Sequence, residues 1–360
     1  MTAGAYILAP AGPTLLPDEA AFFREANPWG FIVFQRNCET PDQLRRLTSE
    51  LRESVGREAP ILIDQEGGRV QRMRAPHWRQ WLPPLDQVEA FSVAENVPET
   101  DAVSAKSASD FGTGCVSHPA SRAMYLRGLL IGAELMAHGV DVNCAPSADI
   151  AWPETHPFLR NRCYGTDAET VIAMARACAE GLMDAGCLPV IKHAPGHGRA
   201  TLDSHEALPQ IDAGLPDLTD TDFAPFRALS DLPAAMTAHI VIPFIDPDRP
   251  VTQSAAGIDF LREALGLTNL LMSDDISMGA LAGDLNTRVT KALAAGCDLV
   301  LHCNGDLAEM NIVAKAGTMT AQAADRADIA LSRRRTPIDI DIPALEAEFQ
   351  TLLQGGPGQG

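Results

Sequence analysis

The chain has 360 residues, of which 46% are hydrophobic and 21% are charged, a composition typical of globular proteins. Its net charge of −19 argues against a nucleic-acid partner or an anionic membrane surface, because phosphate groups would be repelled over most of the protein. We expect neither a signal peptide nor a membrane span, since no stretch approaches the roughly 18–20 apolar residues that cross a bilayer. The eight cysteines lie in apolar contexts without C-x-x-C spacing, which favours free thiols and a cytoplasmic location.

Short apolar runs alternate with amphipathic segments along the chain. Each run is typical of a strand buried on both faces of a parallel sheet. Two of the helices between them have clear ends, one from Thr40–Pro41 to Gly56 and one from Thr166–Asp167 to Gly186. The runs are residues 4–10, 30–37, 60–68, 139–150, 189–196, 234–243, 269–277 and 297–305.

Eight strand candidates alternating with helices predict a (β/α)8 TIM-type barrel with elaborated loops. We expect a single domain over residues 1–360, with C-terminal helices at about 306–353 packing on the barrel. The stretch from 76 to 120 is interpreted as a long irregular excursion after the third strand. A doubly wound open sheet is the alternative, and it is disfavoured because no G-x-G-x-x-G loop follows the first strand.

Polar residues follow the carboxyl ends of the predicted strands, which is where catalytic groups of such barrels lie. Any one of them could be a helix cap or a surface residue, but their convergence on one rim predicts a catalytic site. In strand order they are Asp64, Arg69 and Arg72; Asp149, His156 and Arg162; Lys192 and His193; His239; and Asp274 and Asp275.

The stretch IKHAPGHGRATLDSHEALP, residues 191–209, concentrates this chemistry. In its D-S-H segment, Asp203 can accept a hydrogen bond from one ring nitrogen of His205 while the other nitrogen faces a substrate, which predicts an acid/base pair. Asp274 would then serve as nucleophile or electrostatic stabiliser. The glycines at 196 and 198 predict a mobile loop rather than a core element.

A metal site is the alternative for this stretch. It would use His193, His197, His205 and Asp203 as ligands. The set lacks the i,i+4 helical pair typical of hydrolytic zinc sites, so we expect neither a metal nor another cofactor. His197 is equally compatible with a structural role that braces the loop.

Taken together, these motifs resemble glycoside hydrolase family 3, and within it the bacterial β-N-acetylhexosaminidase (NagZ-type) branch. That branch carries K-H-F-P-G-H-G, then D-S-H, as well as D-Q-E-G-G-R-V-Q-R and S-D-D-[LI]-S-M. The matching residues are 192–198, 203–205, 64–72 and 273–278, and the resemblance extends from about residue 4 to 305. The chain departs from the pattern at Ala194, where the family has phenylalanine, and in R-N-R-C-Y-G, where it has R-S-F-G.

The resemblance implies a retaining mechanism with a covalent glycosyl-enzyme intermediate. It identifies Asp274 with the nucleophile, His205 with the acid/base and Asp203 with its partner. It also implies that an N-acetylglucosamine unit is held by Asp64, Arg72, Arg162, Lys192 and His193.

The implied activity is that of an exo-acting β-N-acetylglucosaminidase. Its implied substrates are cytoplasmic muropeptides that carry N-acetylglucosaminyl-anhydro-N-acetylmuramic acid in peptidoglycan recycling. Two alternatives remain. A β-glucosidase of the same family is disfavoured because the S-D-W motif and a second sandwich domain are missing. A non-catalytic sugar-binding relative is disfavoured because Asp274 and His205 are present. Transfer of the sugar to phosphate instead of water is a further hypothesis.

Overall fold

The computed structural model describes residues 2–94, 118–204 and 206–354. Eight parallel strands close into a barrel in which each strand pairs with the next along the chain and the last pairs with the first. One strand overlaps each predicted apolar run, and β2 and β5 begin one or two residues earlier, so the predicted (β/α)8 barrel is confirmed. The strands are β1 (Gly4–Leu8), β2 (Pro28–Val33), β3 (Ile61–Ile63), β4 (Val142–Asn143), β5 (Leu188–Ala194), β6 (Ala234–Thr237), β7 (Leu270–Asp275) and β8 (Leu299–His302).

Helices and short helical turns connect the strands. Within the described residues the α-helices are α1 (Pro17–Ala26), α2 (Pro41–Val55), α3 (Pro84–Ala94), α4 (Pro119–Met136), α5 (Pro157–Arg160), α6 (Ala168–Asp184), α7 (Leu215–Thr219), α8 (Ala224–Ala228), α9 (Ala255–Asp259), α10 (Leu285–Ala295), α11 (Leu307–Ala314), α12 (Ala321–Ser332) and α13 (Ile342–Leu353). Two 3₁₀ turns (Gln35–Asn37 and Val251–Gln253) and a π-helical turn (Phe260–Ala264) complete the set.

The ends of α2 follow from its terminal residues. The Thr40 side chain accepts the main-chain N–H of Gln43, Pro41 occupies the first turn, and Gly56 ends the helix in the left-handed region at φ 65°. The prediction of an irregular excursion over 76–120 is wrong where α3 forms. The apolar residues of α3 recur every three positions, at Leu85, Val88 and Phe91, and this short stripe is buried. Residues 95–117 of the predicted excursion lie outside the described part of the chain.

Alternate residues of the strands face opposite sides of the barrel wall. Tyr6 and Leu8 of β1 join a large apolar cluster with the surrounding helices, whereas Ala5 and Ile7 join a second cluster inside the barrel. Alanines of α12 pack against this inner cluster, so α12 closes the end of the barrel opposite the polar rim. The strands are thereby fixed from both faces, and the residues at their carboxyl ends are held in defined positions.

Two properties expected from composition can be compared with the structure. Within the described residues no helix has the length and apolar character that crossing a membrane requires. The seven cysteines of the described residues are free thiols, six of them buried, and Cys115 lies outside this part of the chain.

Candidate active site

One pocket opens at the carboxyl ends of the strands, and most of the predicted site residues line it. His205, the predicted acid/base, lies outside the described residues. The predicted residues that line the pocket are Asp64, Arg72, Arg162, Lys192, His193, Asp203 and Asp274.

Asp64 follows β3 directly and connects two cations. Its Oδ1 lies 2.8 Å from Nζ of Lys192, and its Oδ2 lies 2.8 Å from Nη2 of Arg72. Burial raises the pKa of the Asp64 carboxyl, but the charges of Lys192 and Arg72 outweigh burial and hold the pKa well below its usual range. Burial lowers the pKa of Lys192, but Asp64 and Glu66 raise it above its usual value. These groups are therefore ionised at neutral pH.

Glu66 is a member of this network that the sequence analysis did not identify. Its carboxylate accepts two hydrogen bonds from Nε and Nη2 of Arg162, both at 2.9 Å, and Nζ of Lys192 lies 2.6 Å from its Oε1. Only 1% of the residue is exposed. A buried carboxylate is stable only when it is paired, and here two cations pair with it. Its position two residues after Asp64, inside the D-Q-E motif, is the signal that could have revealed it.

Asp149 organises the neighbouring part of the site, around His193 and His197. It is completely buried in the segment after β4. Its Oδ2 lies 2.7 Å from Nδ1 of His193, its Oδ1 accepts the main-chain N–H of His197 at 2.7 Å, and the Ser147 hydroxyl donates to Oδ2 at 3.0 Å. The other ring nitrogen of His193, Nε2, lies 3.3 Å from Nη2 of Arg162.

The first half of the 196–206 segment is part of the core. A Cβ atom at Gly198 would lie 2.0 Å from the carbonyl oxygen of Ile150, so glycine here permits close packing of two backbones. The Thr155 hydroxyl donates to the Gly198 carbonyl, and the His156 N–H donates to the Ala200 carbonyl at 3.2 Å. Residues 196–200 form a loop, as predicted, but four of the five are buried, so the expectation that this loop lies outside the core is wrong.

Asp203 and Ser204, which follow this anchored segment, line the pocket. The main-chain carbonyl of Asp203 accepts the N–H groups of Glu206 and Ala207, both at 3.0 Å, which turns the chain at this point. Asp203 and Ser204 of the D-S-H segment therefore line the same pocket as Lys192 and Asp274.

His197 is buried between these elements, with 7% of the residue exposed. Its ring meets the ring of His193 edge to face, with centroids 5.9 Å apart, and its Nδ1 has no hydrogen-bond partner among the residues that the structure describes. Burial, reinforced by the neighbouring His193, lowers the pKa of His197 to about 4. The ring is therefore neutral at physiological pH.

Asp274 lies at the carboxyl end of β7. The N–H of Asp275 donates to its Oδ1 at 2.8 Å, and within the described part of the chain no cation lies within ion-pair distance of its carboxylate. Burial raises the pKa of Asp274, but His193, His239 and the Asp275 N–H lower it more, so the carboxyl stays ionised. Asp275 instead accepts the N–H and the hydroxyl of Ser277, at 3.0 and 2.7 Å, and so stabilises the turn that follows β7.

The remaining rim residues support the site. His239 is fully buried, with Nε2 3.0 Å from the Asp275 carbonyl oxygen and Nδ1 2.8 Å from the Thr252 hydroxyl, so it braces the end of β7. His156 caps α5, and the guanidinium of Arg69 lies over the ring of Phe158, 4.4 Å from its centroid.

This pocket combines charged hydrogen-bonding groups with the carboxylate of Asp274, which carries no ion pair within the described residues. The former suit a small molecule rich in hydroxyl groups, and the latter can attack or stabilise an electron-poor carbon. Within the described residues, no three histidine, cysteine, aspartate or glutamate side chains are grouped as metal ligands would be.

Comparison with known proteins gives a consistent result. The family model described as the Glycosyl hydrolase family 3 N terminal domain matches residues 22–333. A protein named Beta-hexosaminidase from Methylococcus capsulatus is 34% identical over 346 residues, which is 95% of each chain. The Beta-hexosaminidase of Alkalilimnicola ehrlichii is 36% identical over 311 residues, or 84% of this chain and 82% of the relative.

Solved structures agree with these sequence relatives. The crystal structure of native NagZ from Neisseria gonorrhoeae has a TM-score of 0.79 and 27% identity, covering 99% of this chain and 97% of that chain. A complex of the same protein with N-trifluoroacetyl-D-glucosamine also gives a TM-score of 0.79, with 26% identity and the same coverage.

Proposed function

Because the chain belongs to glycosyl hydrolase family 3, we propose that it is an exo-acting β-N-acetylhexosaminidase that releases terminal β-linked N-acetylglucosamine. The observation that carries this proposal is the ionised carboxylate of Asp274, which lines a pocket of charged hydrogen-bonding groups and has no ion pair within the described residues. The names of the relatives, Beta-hexosaminidase and NagZ, support the choice of sugar.

The proposed reaction is a double displacement with net retention. Asp274 attacks the anomeric carbon while His205 protonates the departing oxygen, with Asp203 orienting the imidazole. In the second step His205 takes a proton from water, which then displaces Asp274 from the sugar. The roles of His205 and Asp203 rest on the D-S-H motif, and the position of Asp203 in the pocket wall supports them.

Asp274 favours this reaction through its charge. The transition state resembles an oxocarbenium ion, and positive charge develops on the sugar ring next to the attacking carboxylate. A carboxylate already paired with lysine or arginine would offer less stabilisation and a weaker nucleophile. In this pocket the cations lie beside Asp64 and Glu66 instead.

The sugar is held, in this proposal, by the charged network at the ends of β3 and β5. Asp64 and the paired cations Lys192 and Arg72 offer both acceptors and donors for hydroxyl groups. Arg162 and His193 extend the same surface. Because Glu66 and Asp149 are buried beneath them, the donors keep fixed directions and lose little freedom on binding.

The natural substrates we propose are muropeptides that carry N-acetylglucosaminyl-anhydro-N-acetylmuramic acid, processed in the cytoplasm during peptidoglycan recycling. This finer assignment is supported by the joint K-H-x-P-G-H-G, D-S-H and S-D-D-I-S-M motifs of the sequence. Turnover of the purified disaccharide, compared with chitobiose, measures it directly. A clear preference for chitobiose would contradict the muropeptide assignment while leaving the glycosidase activity intact.

The first experiment is hydrolysis of a chromogenic β-N-acetylglucosaminide beside the matching β-glucoside. We expect a strong preference for the N-acetyl sugar and a β-configured first product by NMR. His205→Ala should be impaired mainly with poor leaving groups, because a good leaving group departs without protonation. Preference for the glucoside would instead indicate a β-glucosidase of the same family. An α-configured first product would exclude a retaining mechanism.

A further inference from the structure

The two nitrogens of the His193 ring have neighbours of opposite kind. Nδ1 faces a carboxylate oxygen of Asp149 at 2.7 Å, and an ionised carboxylate only accepts hydrogen bonds. Nε2 faces Nη2 of Arg162 at 3.3 Å, and a guanidinium only donates. A single arrangement satisfies both contacts, with the proton on Nδ1 and the lone pair on Nε2.

The surroundings keep both neighbours in these states. Asp149 is fully buried and also accepts the N–H of His197 and the hydroxyl of Ser147, so its oxygens are committed as acceptors. Arg162 is held by two hydrogen bonds to the buried carboxylate of Glu66, so the direction of the second N–H of Nη2 is fixed. A second proton on His193 would place an N–H group against this guanidinium.

We propose that Asp149 is a positioning residue that fixes the hydrogen-bond polarity of His193, so that Nε2 is an acceptor on the pocket side of the ring. The sequence analysis placed His193 among the residues that hold the sugar without a hydrogen-bond direction, and Asp149 only among the polar residues of the rim. Because Nε2 has a single lone pair, a sugar hydroxyl that donates to it takes the place of the Arg162 N–H. Arg162 and Lys192 are then the donors of the site.

Asp149→Asn reverses this polarity with little change in shape. The asparagine Oδ1 still accepts the N–H of His197, and its NH₂ group then points toward Nδ1 of His193. The ring responds by moving its proton to Nε2, where it faces Arg162 as donor against donor. A wrong tautomer of this kind is a known cause of lost activity when a carboxylate beside a histidine becomes an amide.

The direct test is ¹⁵N NMR of the histidine rings in the resting protein, with His193→Gln used to assign the His193 signals. We expect the wild type to carry its proton on Nδ1 and Asp149→Asn to carry it on Nε2. Ser147→Ala is the matched control, since it removes one hydrogen bond to Asp149 and leaves the carboxylate in place, so the tautomer should not change. A wild-type proton on Nε2, or on both nitrogens at neutral pH, would overturn the proposal even if Asp149→Asn fails to fold.

A kinetic test measures the consequence for the substrate, and it rests on the proposed glycosidase function. N-acetylglucosaminides that are deoxygenated at position 3, 4 or 6 are compared with the corresponding deoxyfluoro sugars. Fluorine accepts a hydrogen bond weakly but never donates one. In the wild type, fluorine therefore should not rescue the position that contacts His193, whereas in Asp149→Asn it should.

The readout is the ratio of kcat/KM for the fluoro and deoxy sugars, compared between variant and wild type so that the electronic effect of fluorine cancels. A single restored hydrogen bond should raise this ratio roughly fivefold at one position. An unchanged ratio at all three positions would overturn the proposed acceptor role. If the wild type does not cleave N-acetylglucosaminides at all, the proposed function fails, while the NMR result still decides the role of Asp149.

Discussion

The two ends of the barrel use buried carboxylates in opposite ways. At the amino end, Asp298 lies just before β8 and contacts Arg262 at 2.7 Å and Arg326 at 2.8 Å, while it also accepts the N–H of Leu271 at 2.9 Å. Asp141, just before β4, has the same arrangement, with Arg52 at 3.0 Å and Arg334 at 2.9 Å. Each carboxylate joins strands to helices and is fully neutralised by protein cations.

At the carboxyl end the charges are distributed unevenly. Asp64 and Glu66 share the cations Lys192, Arg72 and Arg162, whereas within the described residues Asp274 receives only a main-chain N–H. The barrel architecture thus provides both a closed ion-pair arrangement, which stabilises the fold, and an open one, which leaves a carboxylate for chemistry. The contrast predicts that substitution of Asp274 at the carboxyl end mainly reduces activity, whereas substitution of a carboxylate at the amino end mainly reduces stability.

The largest expected effect comes from Asp274→Asn. The amide keeps the hydrogen bond from the Asp275 N–H but cannot form the glycosyl-enzyme bond efficiently, so kcat should fall by roughly 10⁴-fold or more. Because Asp274 has no ion pair to lose in the described structure, the free energy of unfolding should change by less than about 1 kcal/mol. Steady-state hydrolysis of the N-acetylglucosaminide and urea unfolding measure the two quantities.

Asp298→Ala is the matched control at the opposite end. It leaves Arg262 and Arg326 without their common partner, which should cost about 3 kcal/mol of stability, while kcat per folded molecule should stay within twofold of wild type. If Asp274→Asn retained activity, the nucleophile would have to lie elsewhere. If Asp298→Ala lost activity without losing stability, the separation between the two ends would be wrong.

The sequence predicts the barrel well because the features that identify this fold are local. Apolar runs of strand length, capped helices and their strict alternation are properties of neighbouring residues, and they determine which architecture can bury the strands. The site residues were predicted for a related reason, since the carboxyl end of every strand meets the same rim. Asp64, Lys192 and Asp274 each follow or end a recognisable strand, and the structure brings all three to one pocket.

What the sequence did not reveal depends on contacts between distant segments. The pairing of Glu66 with Arg162 joins residues 96 positions apart, and nothing in either local pattern indicates it. Gly198 belongs to a glycine-containing stretch that is typical of a flexible loop. In the structure, however, it packs against the backbone of Ile150, which is close only in the folded chain. The polarity of His193 likewise depends on neighbours contributed by two other loops.

A smaller effect is expected for Glu66→Gln, which tests whether the paired cations serve binding. Gln can accept from only one of the two Arg162 donors and presents no charge to Lys192, so both cations become less well oriented. The loss of a charged hydrogen bond, about 1.5–3 kcal/mol, should raise KM about tenfold or more, with a smaller change in kcat. Steady-state kinetics with the chromogenic substrate give both values. A fall in kcat at constant KM would instead place Glu66 in the chemical step.

The smallest effect concerns His197, a buried neutral histidine at the open end. Burial and the neighbouring His193 lower its pKa to about 4 in the folded protein, although Asp149 and Asp274 act in the opposite direction. In the unfolded chain the pKa of histidine is about 6.5. Between these values the unfolded chain binds the extra proton, so the stability that this group contributes is complete above pH 6.5 and is lost as the pH falls toward 4. One proton corresponds to at most about 1.4 kcal/mol per pH unit. His197→Gln should therefore give a shallower decline in unfolding free energy between pH 6.5 and 5, measured by urea unfolding, than the wild type.

Equal slopes would mean that the ring takes up its proton in the folded state, with Asp149 close enough to hold it. In that case the carboxyl end would have a closed charge arrangement of its own beside the open one at Asp274.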